Sequence, residues 1–138
     1  MRRGLICGTF DLFHVGHLNI LEKCRRHCDY LIVGIACDEY VRNIKHHEPL
    51  MSDDDRCRII SSLKIVDECR VFTESEIKNK LEYCNLHNID VVFDGDDYIN
   101  DERYKKIQEY GRTEVMFFPY TKGISSSQLK RTLNESNK

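Results

Sequence analysis

The stretch Gly8-Thr9-Phe10-Asp11-Leu12-Phe13-His14-Val15-Gly16-His17 decides how the rest of the chain is read. Before it, Leu5-Ile6-Cys7 is a short apolar run; after it, Leu18 to His27 places leucine, isoleucine and cysteine three and four residues apart. The pattern is strand, tight turn, helix. Such a junction leaves backbone N–H groups of the turn and of the first helical turn without partners, and the helix dipole adds partial positive charge there. Phosphate binds at such places. With a helix starting near Gly16, the imidazoles of His14 and His17 stand together at its mouth and can face one phosphoryl group, while glycine lets the backbone approach. A surface turn that merely holds two histidines is the plainer alternative.

Outward from this turn, Tyr30-Leu31-Ile32-Val33-Gly34-Ile35-Ala36-Cys37 is apolar without alternation, the mark of a strand covered on both faces. Asp38 to Leu50 is polar and carries Arg42, Lys45, His46 and His47, a candidate mobile loop for gripping phosphate. Ser52-Asp53-Asp54-Asp55 opens a helix that runs from Arg56 to Leu63. Val66 to Phe72 is a third strand, and Glu74 to His87 one helix with Ile77, Leu81 and Cys84 or Leu86 on its inner face. Ile89 to Phe93 is a fourth strand, followed by Asp94-Gly95-Asp96-Asp97-Tyr98 at the end where open α/β sheets bind ligands. Asp96 and Asp97 also fit a plain role as turn or helix-entry acids. Asp101 to Tyr110 is a helix closed by Gly111, and Glu114 to Phe118 a fifth strand stopped by Pro119. The Tyr120 to Ser127 turn then leads into a last helix ending near Asn134, with a frayed tail from Glu135 to Lys138. The alternation predicts one Rossmann-like, doubly wound α/β domain over residues 1–138, a five-stranded parallel sheet flanked by helices. Four loops, after the first, second, fourth and fifth strands, then surround one cleft.

At 138 residues with net charge −2, the chain has no general basic field. Nucleic-acid binding is not suggested, and phosphate affinity must come from local geometry. Met1-Arg2-Arg3-Gly4 precedes only a very short apolar run, so neither a signal peptide nor a membrane span is expected, and the expected location is cytoplasmic. The seven cysteines are odd in number and form no Cys-x-x-Cys, which fits free thiols in a reducing compartment. His46-His47 with His14 and His17 match no usual zinc spacing, so no metal ligand set is assigned. A Gly-x-x-x-x-Gly-Lys-Ser/Thr element is absent, which argues against P-loop chemistry at the γ-phosphate. Two helix N-termini, after Gly16 and after Ile124, aimed at one opening suit a nucleoside triphosphate.

The first stretch resembles the His-x-Gly-His signature of the nucleotidyltransferase superfamily, in the form of its cytidylyltransferase branch. Tyr120-Thr121-Lys122-Gly123-Ile124-Ser125-Ser126-Ser127 is similar to that branch's Arg-Thr-Glu-Gly-Ile-Ser-Thr-Ser/Thr element. Val66-Asp67-Glu68 and Gly95-Asp96-Asp97-Tyr98 extend the similarity over nearly the whole chain, nearest in length and motif order to the single-domain bacterial glycerol-3-phosphate enzymes. The resemblance implies attack at the α-phosphorus of CTP by a small phosphorylated alcohol, glycerol 3-phosphate first among candidates. Pyrophosphate leaves, and the product is a CDP-activated precursor of a cell-surface polymer such as capsule or teichoic acid. It implies Mg²⁺ carried mainly by the CTP phosphates, and a homodimer.

By the same resemblance His14 and His17 bind the phosphates and carry catalysis, with Thr9, Phe10 and Gly16 beside the nucleotide. Tyr120, Thr121, Gly123, Ile124, Ser125, Ser126 and Ser127 supply phosphate contacts, and Asp97 the ribose contact. Lys45 grips the leaving group or the acceptor phosphate, and Asp11, Lys64 and Lys80 lie on the acceptor side. Lys45 and Lys80 also fit solvated surface charges, and Asp11 a cap of the turn. Tyr120 and Lys64 stand where relatives carry arginine, exchanges that are not neutral at a phosphate. They leave open phosphocholine, another polyol phosphate, a phosphonate, or an acyl or amino-acid phosphate as acceptor. Adenylyl transfer from ATP is the enzymatic rival, and a nucleotide-binding regulator the non-enzymatic one.

Overall fold

The computed structural model describes residues 1–136. Five strands, β1 (Arg3–Gly8), β2 (Tyr30–Ala36), β3 (Glu68–Phe72), β4 (Val91–Gly95) and β5 (Glu114–Phe118), form one parallel sheet in the order β3-β2-β1-β4-β5. The helices are α1 (Val15–Arg26), α2 (Asp38–Ile44), α3 (Asp53–Ser61), α4 (Glu74–Lys78), α5 (Lys80–Leu86), α6 (Glu102–Tyr110) and α7 (Ser126–Ser136), with a 3₁₀ turn at Asp96–Tyr98. The chain runs outward from β1 to β3 and then returns to place β4 on the other side of β1. This makes the gap beyond the carboxyl ends of β1 and β4 the switch point of the sheet.

Two cores explain the unbroken apolar strands. Leu5, Ile32 and Val92 face one way, into a core with Tyr83, Tyr104 and Ile107; Ile6, Val33 and Phe93 face the other, with Leu21, Cys24 and Ile60. Successive side chains on a strand point to opposite faces, so a strand covered on both sides is apolar at every position.

Two elements differ from expectation. The segment after β2 is not a loop throughout: Asp38–Ile44 is helical because Tyr40 and Val41 reach the core, and only the residues beyond Lys45 are irregular. The helix expected from Glu74 to His87 is broken at Asn79, whose backbone (φ −109, ψ 53) is not helical. Thr73 and Glu76 close a capping box on α4, and after the break Lys80 points into the core, only 3% exposed. Among the described residues all seven cysteines are free, with Cys57 and Cys69 facing one another at 3.4 Å across α3 and β3.

Candidate active site

The turn after β1 holds two non-glycine residues in the left-handed region, Phe10 (φ 54) and Leu12 (φ 51). That conformation is costly for residues with a Cβ. The Phe10 ring folds back over Gly8 and is buried in the core, where it meets the His17 ring edge-on at 5.3 Å. Its side chain is therefore spent on packing against Gly8 and His17.

His14 and His17 cap α1 reciprocally. The Gly16 N–H donates to His14 Nδ1 (3.0 Å), and the His14 N–H donates to His17 Nδ1 (3.2 Å). An imidazole whose Nδ1 accepts must, when neutral, carry its proton on Nε2. Both rings are fixed in that tautomer, stacked with centroids 3.8 Å apart. His14 Nε2 is buried and has no partner among the described residues, which leaves a donor waiting for an acceptor. Burial lowers the pKa of His14, and burial with the neighbouring His14 lowers that of His17 to about 4. Both are neutral N–H donors near pH 7. Gly16 is required for this closeness, since a Cβ there would come 2.8 Å from His14 Cε1 and 3.3 Å from Ile124.

Ile124 brings the second flank into place. The Ser125 hydroxyl accepts from Gln128 N (3.0 Å) and caps α7, while the Ser126 hydroxyl donates to the Asp11 carbonyl. Thr121 accepts from Asn19 of α1 (3.1 Å), and Gly123 makes the left-handed bend (φ 85) that turns the chain into the helix. The histidine pair and the start of α7 thus line one cleft of about 320 Å³, together with Thr9, Gly16, Lys45 and Ser127. That volume lies within the range of small-molecule sites.

At the end of β4 the Tyr120 ring lies across Gly95, where a Cβ would stand 2.4 Å from its Cζ. Burial of the Tyr120 hydroxyl and its contact with Asp97 push its pKa up, so it stays a neutral donor facing that carboxylate. Asp97 itself is exposed at the cleft edge.

The four acceptor-side residues separate. Lys45, whose stem is exposed, tucks its ammonium against Thr9 Oγ1 at 2.9 Å, and burial of that end lowers its pKa against the pull of Asp94 and Asp97. Lys80 lies beneath the cleft and donates to Tyr104 Oη at 3.0 Å. Asp11 is committed elsewhere: it accepts from Leu50 N (2.8 Å) and Met51 N (3.1 Å) and pairs with Lys130 (2.7 Å). Burial opposes its charge, but these partners outweigh burial and hold its pKa below the usual carboxylate range. It ties the loop after α2 and the last helix to the first turn, the cap role. Lys64 is exposed in the connection that enters the amino end of β3, at the opposite edge of the sheet from the cleft, so the fold does not bring it to the site. Its neighbour Asp67 receives Leu31 N (2.8 Å) and Arg25, a structural task.

Sequence reasoning missed Arg56. Its side chain is fully buried, donating to Met51 O (3.0 Å), Thr9 O (2.8 Å), Ala36 O (2.8 Å) and Asp38 (2.6 Å). One guanidinium therefore fixes the turns after β1 and β2 and the residue before α3. The available signal was its position four residues before Ile60, on the inward face of its helix. Lys130 and Asp94, which line the cleft, were also not assigned.

A parallel sheet whose switch point carries a histidine-capped helix start and a second helix start in one cleft defines a nucleotide-binding α/β domain of the Rossmann-like class. A family model described as Cytidylyltransferase-like matches residues 5–132, and the chain belongs to that family. It is 35% identical over 136 residues to the glycerol-3-phosphate cytidylyltransferase of Bacillus spizizenii, covering 96% of this chain and 98% of the relative. It is 34% identical over 121 residues to the FAD synthase of Thermococcus kodakarensis, covering 86% and 80%. The lipopolysaccharide core biosynthesis protein of Thermoplasma volcanium has a similar structure, with TM-score 0.73 and 29% identity, covering 88% of this chain and 99% of that one.

Proposed function

We propose that this chain is an enzyme that transfers CMP from CTP to a small phosphorylated alcohol, glycerol 3-phosphate first among them, releasing pyrophosphate and giving a CDP-activated precursor of a cell-surface polymer. The observation that carries this is the His14–His17 pair, both rings held with the proton on Nε2, opposite the amino end of α7 in one cleft. The similarity to the Bacillus enzyme supports the choice of base and acceptor.

A phosphate monoester has a second pKa of about 6 and reaches the site already ionised, so no general base is required. Its oxygen forms the bond to the α-phosphorus while the bond from that phosphorus to the bridging oxygen breaks, and pyrophosphate leaves with the electron pair. The protein aligns the two reactants and meets the charge that builds on the phosphoryl oxygens. His14 and His17 donate from Nε2 to those oxygens. The backbone N–H groups of Ser126 and Ser127, with the Thr121 hydroxyl, hold the triphosphate from the other flank. Asp97 accepts from the ribose once Tyr120 yields its hydroxyl contact, and Lys45 neutralises the acceptor phosphate or the departing pyrophosphate.

The carboxylates near the cleft are largely committed, Asp11 to Lys130 and two backbone donors, Asp94 to Tyr104 and Gly95. Mg²⁺ accordingly fits as an ion held by phosphate and water, where it supplies charge neutralisation to the triphosphate. CTP is a cytoplasmic metabolite, which puts the reaction in the cytoplasm.

Pyrophosphate release measured with each of the four nucleoside triphosphates against a panel of small phosphates tests this. Release that needs CTP and glycerol 3-phosphate together is expected. Release with ATP alone, or nucleotide binding without turnover, overturns it.

A further inference from the structure

Away from the cleft, β3 is an edge strand of the sheet, and α3 packs beside it. Cys57 and Ser61 stand one helical turn apart on α3 and share the face that meets β3. Cys69 is the strand residue they meet. The Cys57 S–H donates to Cys69 Sγ at 3.4 Å, and Ser61 Oγ lies 3.9 Å from Cys57 Sγ. Both cysteines are partly exposed, so a small reagent reaches them from the edge of the sheet. The other thiols are placed differently: Cys24 and Cys84 are fully buried, Cys28 donates to the Cys24 carbonyl, and Cys7 fills the space beside Gly34.

A disulfide needs its sulfurs at about 2.05 Å, so this pair has about 1.4 Å to close, a distance that rotation about the two Cα–Cβ bonds can supply. Burial, reinforced by the facing Cys57 thiol, pushes the Cys69 thiol above its ordinary range, against the Ser61 hydroxyl. Cys69 is therefore the poorer first nucleophile, and exchange starts at Cys57. The part of the rise that comes from Cys57 ends once that sulfur is bonded to another, which readies Cys69 for the second attack.

We propose that Cys57 and Cys69 are a thiol–disulfide modification site, oxidised by a low-molecular-weight disulfide to a bond that staples α3 to the edge strand. In the first step Cys57 Sγ attacks one sulfur of the small disulfide, whose other sulfur leaves as a thiol. In the second, Cys69 Sγ attacks Cys57 Sγ and releases the remaining thiol. Two protein thiols are oxidised, one small disulfide is reduced, and the two protein protons end on the two released thiols. Arg56 precedes Cys57 and holds the Thr9 and Ala36 carbonyls, so the staple secures the helix that fixes the turns of the cleft. In a reducing compartment such a bond forms only when the thiol pool is oxidised, as redox-responsive disulfides do.

The test incubates the full chain with glutathione disulfide or with dithiothreitol, then reads intact mass, thiols titrated in denaturant, peptide maps and thermal unfolding. With glutathione disulfide the mass should fall by two hydrogens, two of the seven thiols should be lost, and one peptide pair should join Cys57 to Cys69. The bond closes a loop between residues 12 apart, which should raise Tm by roughly 5–10 °C. Dithiothreitol should reverse all of this. Cys69→Ser should stop at the mixed disulfide on Cys57 with no rise in Tm, and Cys57→Ser should give no bond at Cys69; the wild-type readouts decide without either variant. A wild-type chain that stays reduced, keeps glutathione on Cys57, joins other cysteines or two chains, or melts no higher when oxidised overturns the proposal. None of these outcomes bears on the transferase reading.

Discussion

His14 does two jobs with two nitrogens, and substitution can take them apart. Its Nδ1 caps α1 by accepting from Gly16 N at 3.0 Å, and its Nε2 is the buried donor without a partner. In His14→Asn the amide oxygen sits at about the distance of Nδ1 and keeps the cap, but no donor reaches the Nε2 position. In His14→Ala both are lost. A lost N-cap costs about 1 kcal/mol, within a range of roughly 0.5–2, and for a chain of this length that lowers Tm by roughly 3–5 °C. A lost preorganised donor costs on the order of 10²–10³ in rate. His14→Asn should therefore unfold within about 0.5 kcal/mol of the wild type, and His14→Ala about 1 kcal/mol below it, while both lose about the same 10²–10³ in kcat/KM. Urea unfolding gives the first quantity and pyrophosphate release the second. If His14→Asn retains wild-type turnover, or if His14→Ala is as stable as His14→Asn, the assignment of the two nitrogens is wrong.

Three further predictions follow from the same contacts. His17 has a folded pKa near 4 against 6.5 unfolded; above pH 6.5 neither state binds the proton, and as pH falls toward 4 only the unfolded state does, so stability falls over that window. The full difference is at most about 3 kcal/mol, nearer 1–2 for a partly buried ring; urea unfolding should show that much less loss in His17→Gln, and an identical pH slope in the two would refute it. Arg56→Lys sets the three donors of one compact ammonium against four acceptors spread around the guanidinium, the carbonyls of Thr9, Ala36 and Met51 and the Asp38 carboxylate, and should cost about 3–5 kcal/mol by denaturant unfolding despite keeping the charge. Gly34→Ala places a Cβ 2.9 Å from Cys7 Sγ and 3.0 Å from the Phe72 ring, inside the sheet, and should cost about 1–3 kcal/mol, whereas Gly95→Ala meets only the exposed Tyr120 ring and should cost less.

The parts of the fold legible in the sequence are those set by local pattern. The strand–turn–helix at Gly8 to His17, the Ser52 cap and the Gly111 stop each depend on neighbours within a few residues, and each lies where the sequence puts it. The break at Asn79 was not legible, because the apolar positions Ile77, Leu81 and Cys84 fit one continuous helix as well as two short ones. What decides is a long-range partnership: Lys80 turns inward because the Tyr104 hydroxyl of α6, which itself donates to Asp94 of β4, receives it. Arg56 was hidden for the same reason, since its four acceptors come from three separate turns. Lys64 is a different case: the resemblance put it on the acceptor side, whereas the fold sets it in the connection that leads into the amino end of β3, a strand's length from this chain's cleft.

The first turn also shows why the residues that stabilise this fold cannot be separated from those that shape its cleft. Phe10 and Leu12 sit at φ 54 and φ 51, each a cost of about 1–3 kcal/mol, and nothing in their own chemistry favours that conformation. The turn persists because it is held from outside at three points: the Arg56 guanidinium takes the Thr9 carbonyl, the Asp11 carboxylate takes two N–H groups and Lys130, and the Asp11 carbonyl takes the Ser126 hydroxyl. Each of those clamps reaches from a different loop of the same cleft. The strain is therefore what brings the loop after α2, the helix α3 and the helix α7 to one place. The His14–His17 cap sits at the end of that turn, so the tautomer that makes both rings donors is a consequence of the same clamping. Relaxing the turn by a glycine at Leu12 would remove a cost to the folded state and at the same time loosen the direction in which the two Nε2 atoms point.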